Sequence, residues 1–189
     1  MKKILTPFCA LALLLSACVT SLHPLYTPDT TVFREELVGI WKEKPDDDES
    51  WTFTKADNNS YKLVIKEDDE SSVLHARLVK LGDNHFLDLA PDGDMLKNAK
   101  IGGFYHATLV PGHLILKVKL GDKLELNLLD HDKLKKFLAA NPKALAHTLA
   151  EDDRLVITAP TAELQAFFKK HSASAELWGD PGVMQKILL

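Results

Sequence analysis

From Leu37 onward the chain is built of short runs in which apolar residues recur at every second position, and this pattern most narrows the folds open to it. Eight runs are separated by turn residues: Val38 to Lys42, Trp51 to Lys55, Tyr61 to Lys66, Val73 to Leu81, His85 to Leu89, Phe104 to Val110, Leu114 to Leu120 and Leu124 to Leu129. A period of two puts one face of each run in a core and the other in water, and runs this short and regular argue for antiparallel strands. The expected fold class is mainly β, an eight- to nine-stranded antiparallel meander or barrel, followed by two or three C-terminal helices.

Register follows from the same pattern, because a slip of one residue sends an apolar face into water. Opposing Leu120 to Leu124 aligns Leu114, Leu116, Val118 and Leu120 with Leu124, Leu126 and Leu128, and makes Gly121-Asp122-Lys123 the turn. A Pro111-Gly112 turn pairing Leu109 with Leu114 puts Tyr105, Ala107 and Leu109 on the inner face and His106 outside. After Leu129 the period lengthens to about 3.6. Asp130 or His131 caps a helix from Asp132 to about Ala140, and Asn141-Pro142 opens a second helix ending near Ala150. Arg154 to Thr158 reads as a ninth strand. Thr161 caps a last helix with Leu164, Phe167, Phe168 and His171 on one face.

The 189-residue chain begins with a different signal. Lys2 and Lys3 precede a mostly apolar stretch from Ile4 to Leu15, with Ser16 and Ala17 next, which is the pattern of a secretory signal peptide. At about a dozen residues, interrupted by Pro7, the apolar stretch is shorter than the ~20 that cross a bilayer as a helix. Leu15-Ser16-Ala17-Cys18 resembles the lipobox of bacterial lipoproteins. That resemblance implies cleavage before Cys18, a diacylglyceryl thioether on its sulfur and acylation (palmitate) of the new amino terminus. It further implies a protein anchored in the cell envelope, on the outer membrane facing the periplasm if the source is Gram-negative. Cys9 would leave with the signal, so the mature chain holds no free thiol or disulfide. The expected organisation is residues 1–17 as signal, 18–36 as lipidated cysteine and flexible tether with a reach of roughly 24 Å, and 37–189 as one domain.

Gly39-Ile40-Trp41, at the start of the first run, resembles the glycine-x-tryptophan signature of lipocalins and the wider calycin group. In that family the tryptophan closes one end of a barrel and an arginine from a late strand lies over its ring; Arg154 is the position that matches. Ser21 to Tyr26 (SLHPLY), taken with Leu37-Val38-Gly39-x-Trp41, looks like a group of uncharacterised bacterial lipoproteins. A lipocalin-like barrel implies a ligand cavity, for which the candidate lining is Trp41, Trp51, Phe53, Leu63, Ile65, Tyr105, Leu116 and Leu126.

No serine sits in a Gly-x-Ser-x-Gly elbow, no histidine pair has His-Glu-x-x-His spacing and no glycine cluster resembles a phosphate loop, so no catalytic residue, cofactor or metal is expected. The eight histidines read as scattered surface residues, with His106 facing outward and His85 and His113 at hairpin tips. With Lys2 and Lys3 removed, 21 basic residues face 27 acidic ones, a net charge of −6 that argues against nucleic acid as a partner.

The acids are grouped. Asp46-Asp47-Asp48-Glu49, Glu67-Asp68-Asp69-Glu70 and Asp92 with Asp94 fall in alternate connections of the meander and therefore at one rim. The opposite connections, expected at Asp57 to Ser60, Gly82 to Asn84 and Pro111-Gly112, are short and nearly neutral. Because the tether enters the first strand at the opposite end, the acidic rim is expected to point away from the membrane. The functional expectation is a non-catalytic, membrane-anchored lipoprotein binding an apolar or amphiphilic small molecule in its barrel. The alternative is a protein-interaction or envelope-assembly lipoprotein with a filled barrel and an acidic contact rim for a basic partner.

Overall fold

The computed structural model describes residues 19–98, 102–150 and 153–188. Cys18 and the lipobox lie outside the described residues. In chain order the strands are β1 (Thr20–Ser21), β2 (Thr31–Val32), β3 (Gly39–Lys42), β4 (Ser50–Ala56), β5 (Ser60–Glu67), β6 (Glu70–Leu81) and β7 (Asn84–Pro91). Two short helices, α1 (Gly93–Asn98) and α2 (Gly103–Thr108), lead to β8 (His113–Leu120) and β9 (Lys123–Leu128). Then come α3 (His131–Ala140), β10 (His147–Leu149), β11 (Leu155–Ile157), α4 (Thr161–His171) and β12 (Gly182–Ile187).

Eight of these strands close an antiparallel barrel. β3 to β9 follow one another as a meander, β12 pairs with both β3 and β9, and β8 pairs with β9, so the ring has no free edge. The register of the last hairpin is the expected one, with Leu120 opposite Leu124, and Lys123 begins β9 by pairing with Gln185 of β12.

Inward and outward residues of the barrel wall belong to two separate cores. Leu37, Trp41, Phe53, Tyr61, Leu63, Leu78 and Leu87 fill the inside. The outward Val79, Leu81, Phe86 and Ile115 pack instead beneath α3 and α4, against Leu134, Leu138, Phe167, Phe168 and Trp178. β7 is therefore buried on both faces, which explains its nearly continuous apolar sequence.

The closed end of the barrel is built around the glycine-x-tryptophan segment. Trp41 Nε1 donates to the Leu37 carbonyl (2.8 Å), Tyr61 hydroxyl accepts from Arg34 N (2.7 Å), and the Phe33 and Tyr61 rings stack at 5.0 Å. The cation over the Trp41 ring is Lys186 of β12, at 5.5 Å. The expectation of Arg154 there is corrected: Arg154 lies immediately before β11, in the sheet extension outside the barrel. Gly39 has φ +135°, and a Cβ on it would lie 2.6 Å from Lys186 Cε, so the lysine crosses over the glycine to reach the indole and the Glu36 carbonyl.

Other expectations fail for identifiable reasons. The run Phe104 to Val110 is no strand: its first five residues are in α2, and Ala107 and Leu109 are exposed. The eighth barrel strand is β12 instead, unread because Gly182-Val-Met-Gln-Lys-Ile places Met184 alone on its buried face. Asn141-Pro142 makes a turn leading to β10 and not a helix, since pairing with β11 claims residues 147–149. Pro160, not Thr161, stands at the start of α4; the Thr161 hydroxyl donates to the Pro24 carbonyl (2.7 Å).

That last bond belongs to the largest correction. Residues 19–36 are not a free tether. Thr20 and Ser21 bridge β8 to β11, Leu25 is fully buried, and the Leu25 amide donates to Asp88 Oδ2 (2.6 Å). Gln165 Nε2 holds the Leu25 carbonyl (2.9 Å), and β2 pairs with β6 where β6 outruns β5. The apolar Val19, Leu25 and Tyr26 supply the drive, because leaving them in water forfeits roughly 1.5–3 kcal/mol for each large buried side chain.

Candidate functional site

The barrel is packed over one half of its length and hollow over the other. Beyond the fully buried layer of Trp41, Phe53 and Leu63 lies an open cavity of about 270 Å³. Its wall is contributed by the same end of each strand: Trp51 on β4, Ile65 on β5, Leu74 on β6, Leu89 on β7, Leu114 and Leu116 on β8, Leu126 and Leu128 on β9, and Met184 on β12. These are inward positions of a period-two ladder, and pairings such as Leu89 with Leu114 and Leu116 with Leu128 hold facing residues side by side. The space remains although Trp51 and several leucines point into this half, because they line the closed ring without meeting across it.

Of the eight residues expected to line a ligand site, Trp51, Ile65, Leu116 and Leu126 do so. Trp41, Phe53 and Leu63 lie below the cavity in the packed half. Tyr105 is misplaced by the sequence reading: it sits in α2, in the connection outside the barrel. Met184, Leu74, Leu89, Leu114 and Leu128 were not among the candidates. The last four were findable as inward positions of strands already recognised, whereas Met184 depended on seeing β12.

At the mouth the lining turns polar. Glu43, Asp47 and Glu49 come from the β3–β4 connection and Glu67 from the end of β5, with Lys66 the one cation among the described lining residues. Asp47 shapes its own turn, accepting the Lys44 amide at 2.9 Å on its carboxylate and Lys42 Nζ at 2.6 Å on its carbonyl. Burial pushes the Glu49 carboxyl above the ordinary carboxylate range, and the charges of Asp68, Glu67, Asp47 and Glu43 push the same way. The first two acidic runs therefore share one rim, with Asp46, Asp48 and Asp69 exposed in the same two connections and Glu70 exposed at the start of β6. Asp92 and Asp94 follow β7 at that end; Asp94 N donates to Asp92 Oδ1 (3.0 Å), and neither lines the cavity.

The two ends of the barrel differ otherwise than expected. Pro111-Gly112 lies at the acidic end, just before β8, because the β7–β8 connection is long; Gly121-Asp122 takes its place at the closed end. That long connection carries Phe104, 96% exposed, and Val110, 71% exposed. His113 is no surface tip: its Nδ1 meets Asp88 Oδ1 at 2.6 Å on the outer wall, beneath the strap of residues 19–36. His85 does sit by the hairpin tip, opposite Lys80, and partial burial pulls its imidazole and that of His75 below their usual range.

Thr20 pairs with Leu114, which itself lines the cavity, so the described chain begins beside the mouth half of β8. The expectation that the tether reaches the barrel from the opposite end is therefore corrected for the described residues, which start beside the mouth half. The chain does enter β3 at the closed end, but the strap has first run back along the wall. Among the described residues no group of three His, Cys, Asp or Glu is placed to hold a metal ion, and no helix is long and apolar enough to cross a membrane. No protein-family model, curated protein or solved structure matches the chain.

Proposed function

We propose that this protein is a membrane-anchored envelope lipoprotein that binds a small apolar or amphiphilic molecule, without catalysis, in a lipocalin-like barrel. The observation that carries this reading is the cavity of about 270 Å³ over a packed half-barrel, apolar in its walls and polar at its mouth. Ligand sites are concave and mostly apolar, with a few polar groups at defined places, and this volume is near the small end of their range of roughly 300–1,000 Å³. The anchor rests on the lipobox Leu15-Ser16-Ala17-Cys18.

Organic extraction and mass spectrometry of the purified chain test the carrier. A small molecule recovered at close to one per chain supports it. Protein that emerges clean and remains clean after incubation with envelope lipids contradicts it. For the anchor, Cys18→Ser should leave an unprocessed precursor; a variant processed and fractionating with membranes like the parent would sink that part of the reading.

A second reading, an envelope-assembly protein contacting a basic partner through its acidic rim, draws on the exposed Phe104 and Val110 in the connection at the same end. It has no use for the hollow, which is why the carrier ranks first.

A further inference from the structure

We infer that the ligand of this cavity is a small amphiphile with an ammonium head and an apolar tail of about eight carbons. The inference rests on the carrier reading and adds the chemical class. Size comes from the hollow: about 270 Å³ is the share of roughly nine water molecules at ~30 Å³ each in the liquid, and thus of about nine heavy-atom groups. The walls admit no head group at depth. The half beneath them is filled by Phe53, Leu63 and Trp41, so a polar group buried there would meet no partner.

A bound amphiphile must therefore leave its head at the mouth, where the described lining holds Glu43, Asp47, Glu49 and Glu67 against the ammonium of Lys66. A carboxylate head placed there would join a set of like charges that already disfavour one another's ionisation at Glu49. An ammonium relieves that repulsion and can donate to these oxygens. Asp68 and Asp69 in the adjacent turn and Glu70 at the start of β6 extend the same field outward, so the discrimination begins before contact.

The test is calorimetric titration of the whole chain with three probes of equal tail: octylammonium, 1-octanol and octanoate, each at 20 mM and 500 mM salt. Octylammonium should bind one per chain, at least tenfold more tightly than octanoate at low salt, with 1-octanol between them. The ratio should shrink several-fold at high salt, where charges more than a few ångströms apart are screened. Replacing Glu43, Asp47, Glu49 and Glu67 together by Gln or Asn should bring the ammonium-to-carboxylate ratio towards one. Octanoate binding as well as octylammonium, or a ratio that survives the fourfold replacement, overturns the ammonium head and leaves the carrier standing. If none of the three binds, 1-octanol included, the carrier itself falls, and the inference with it.

Discussion

Gly39 and Glu49 mark the closed and open ends of the barrel, and each can be tested alone. Gly39 takes a positive φ and lies under the Lys186 side chain, so a methyl group there meets both backbone strain and the lysine stem. Gly39→Ala should cost about 1–3 kcal/mol in urea denaturation, the range for a residue forced into a sparsely populated backbone region; a change under a few tenths would show that the lysine latch is incidental. Glu49 carries the opposite kind of strain. Its native carboxyl holds a proton more tightly than the ordinary value of 4.5. Ionisation thus opposes folding: the cost is absent below that value and fully present once pH exceeds the raised native one. Glu49→Gln should melt above the parent at pH 7 and level with it at pH 3.5. Melting below the parent at pH 7 would contradict the crowding of acids at the mouth.

At the scale of elements, the strap of residues 19–36 is the part most easily tested. Asp88 is almost wholly buried and serves both Leu25 N and His113 Nδ1, so Asp88→Ala takes the acceptor from the buried Leu25 amide and the part-buried His113 ring. The expected loss is about 3 kcal/mol, with new protease cleavage between residues 19 and 36. Resistance equal to the parent's would mean the strap is held by Val19 and Leu25 alone. This strap was hidden in the sequence because its two prolines, hydroxyl residues and lack of period suit an extended segment lying on a wall as well as a free one. The meander was readable from β3 to β7 and in the β8–β9 hairpin, where short apolar runs, most of them alternating, lie between turn residues. Phe104 to Val110 read the same way, but nothing pairs with that run: β7 and β8 take each other directly, leaving it outside as part of α2 and the chain after it. The cavity was half readable for a related reason. Alternation identifies inward residues such as Trp51 and Phe53 without telling which level of the barrel each occupies.

For the whole molecule, the two cores divide the work. The outer one, under α3 and α4, holds the wall from outside, so the inner one need not fill the barrel completely. The strap then decides how the barrel would stand on a membrane. Thr20 lies beside Leu114, so an anchor at Cys18, as proposed, would bring the mouth half, not the closed end, towards the lipid. With the lipidated protein on vesicles containing a lipid-borne quencher, a fluorophore at Asp68→Cys should be quenched more than one at Asp122→Cys; the reverse order would contradict that orientation. The central claim is that the mouth half is hollow and takes a ligand. It is tested most directly by titrating 1-octanol calorimetrically into the parent and into Met184→Trp, which fills the cavity from its β12 wall. The account predicts one site per chain in the parent and at least a tenfold weaker one in a variant that melts no lower than about 5 °C below it. Equal binding by both proteins, or no binding by the parent, would contradict it.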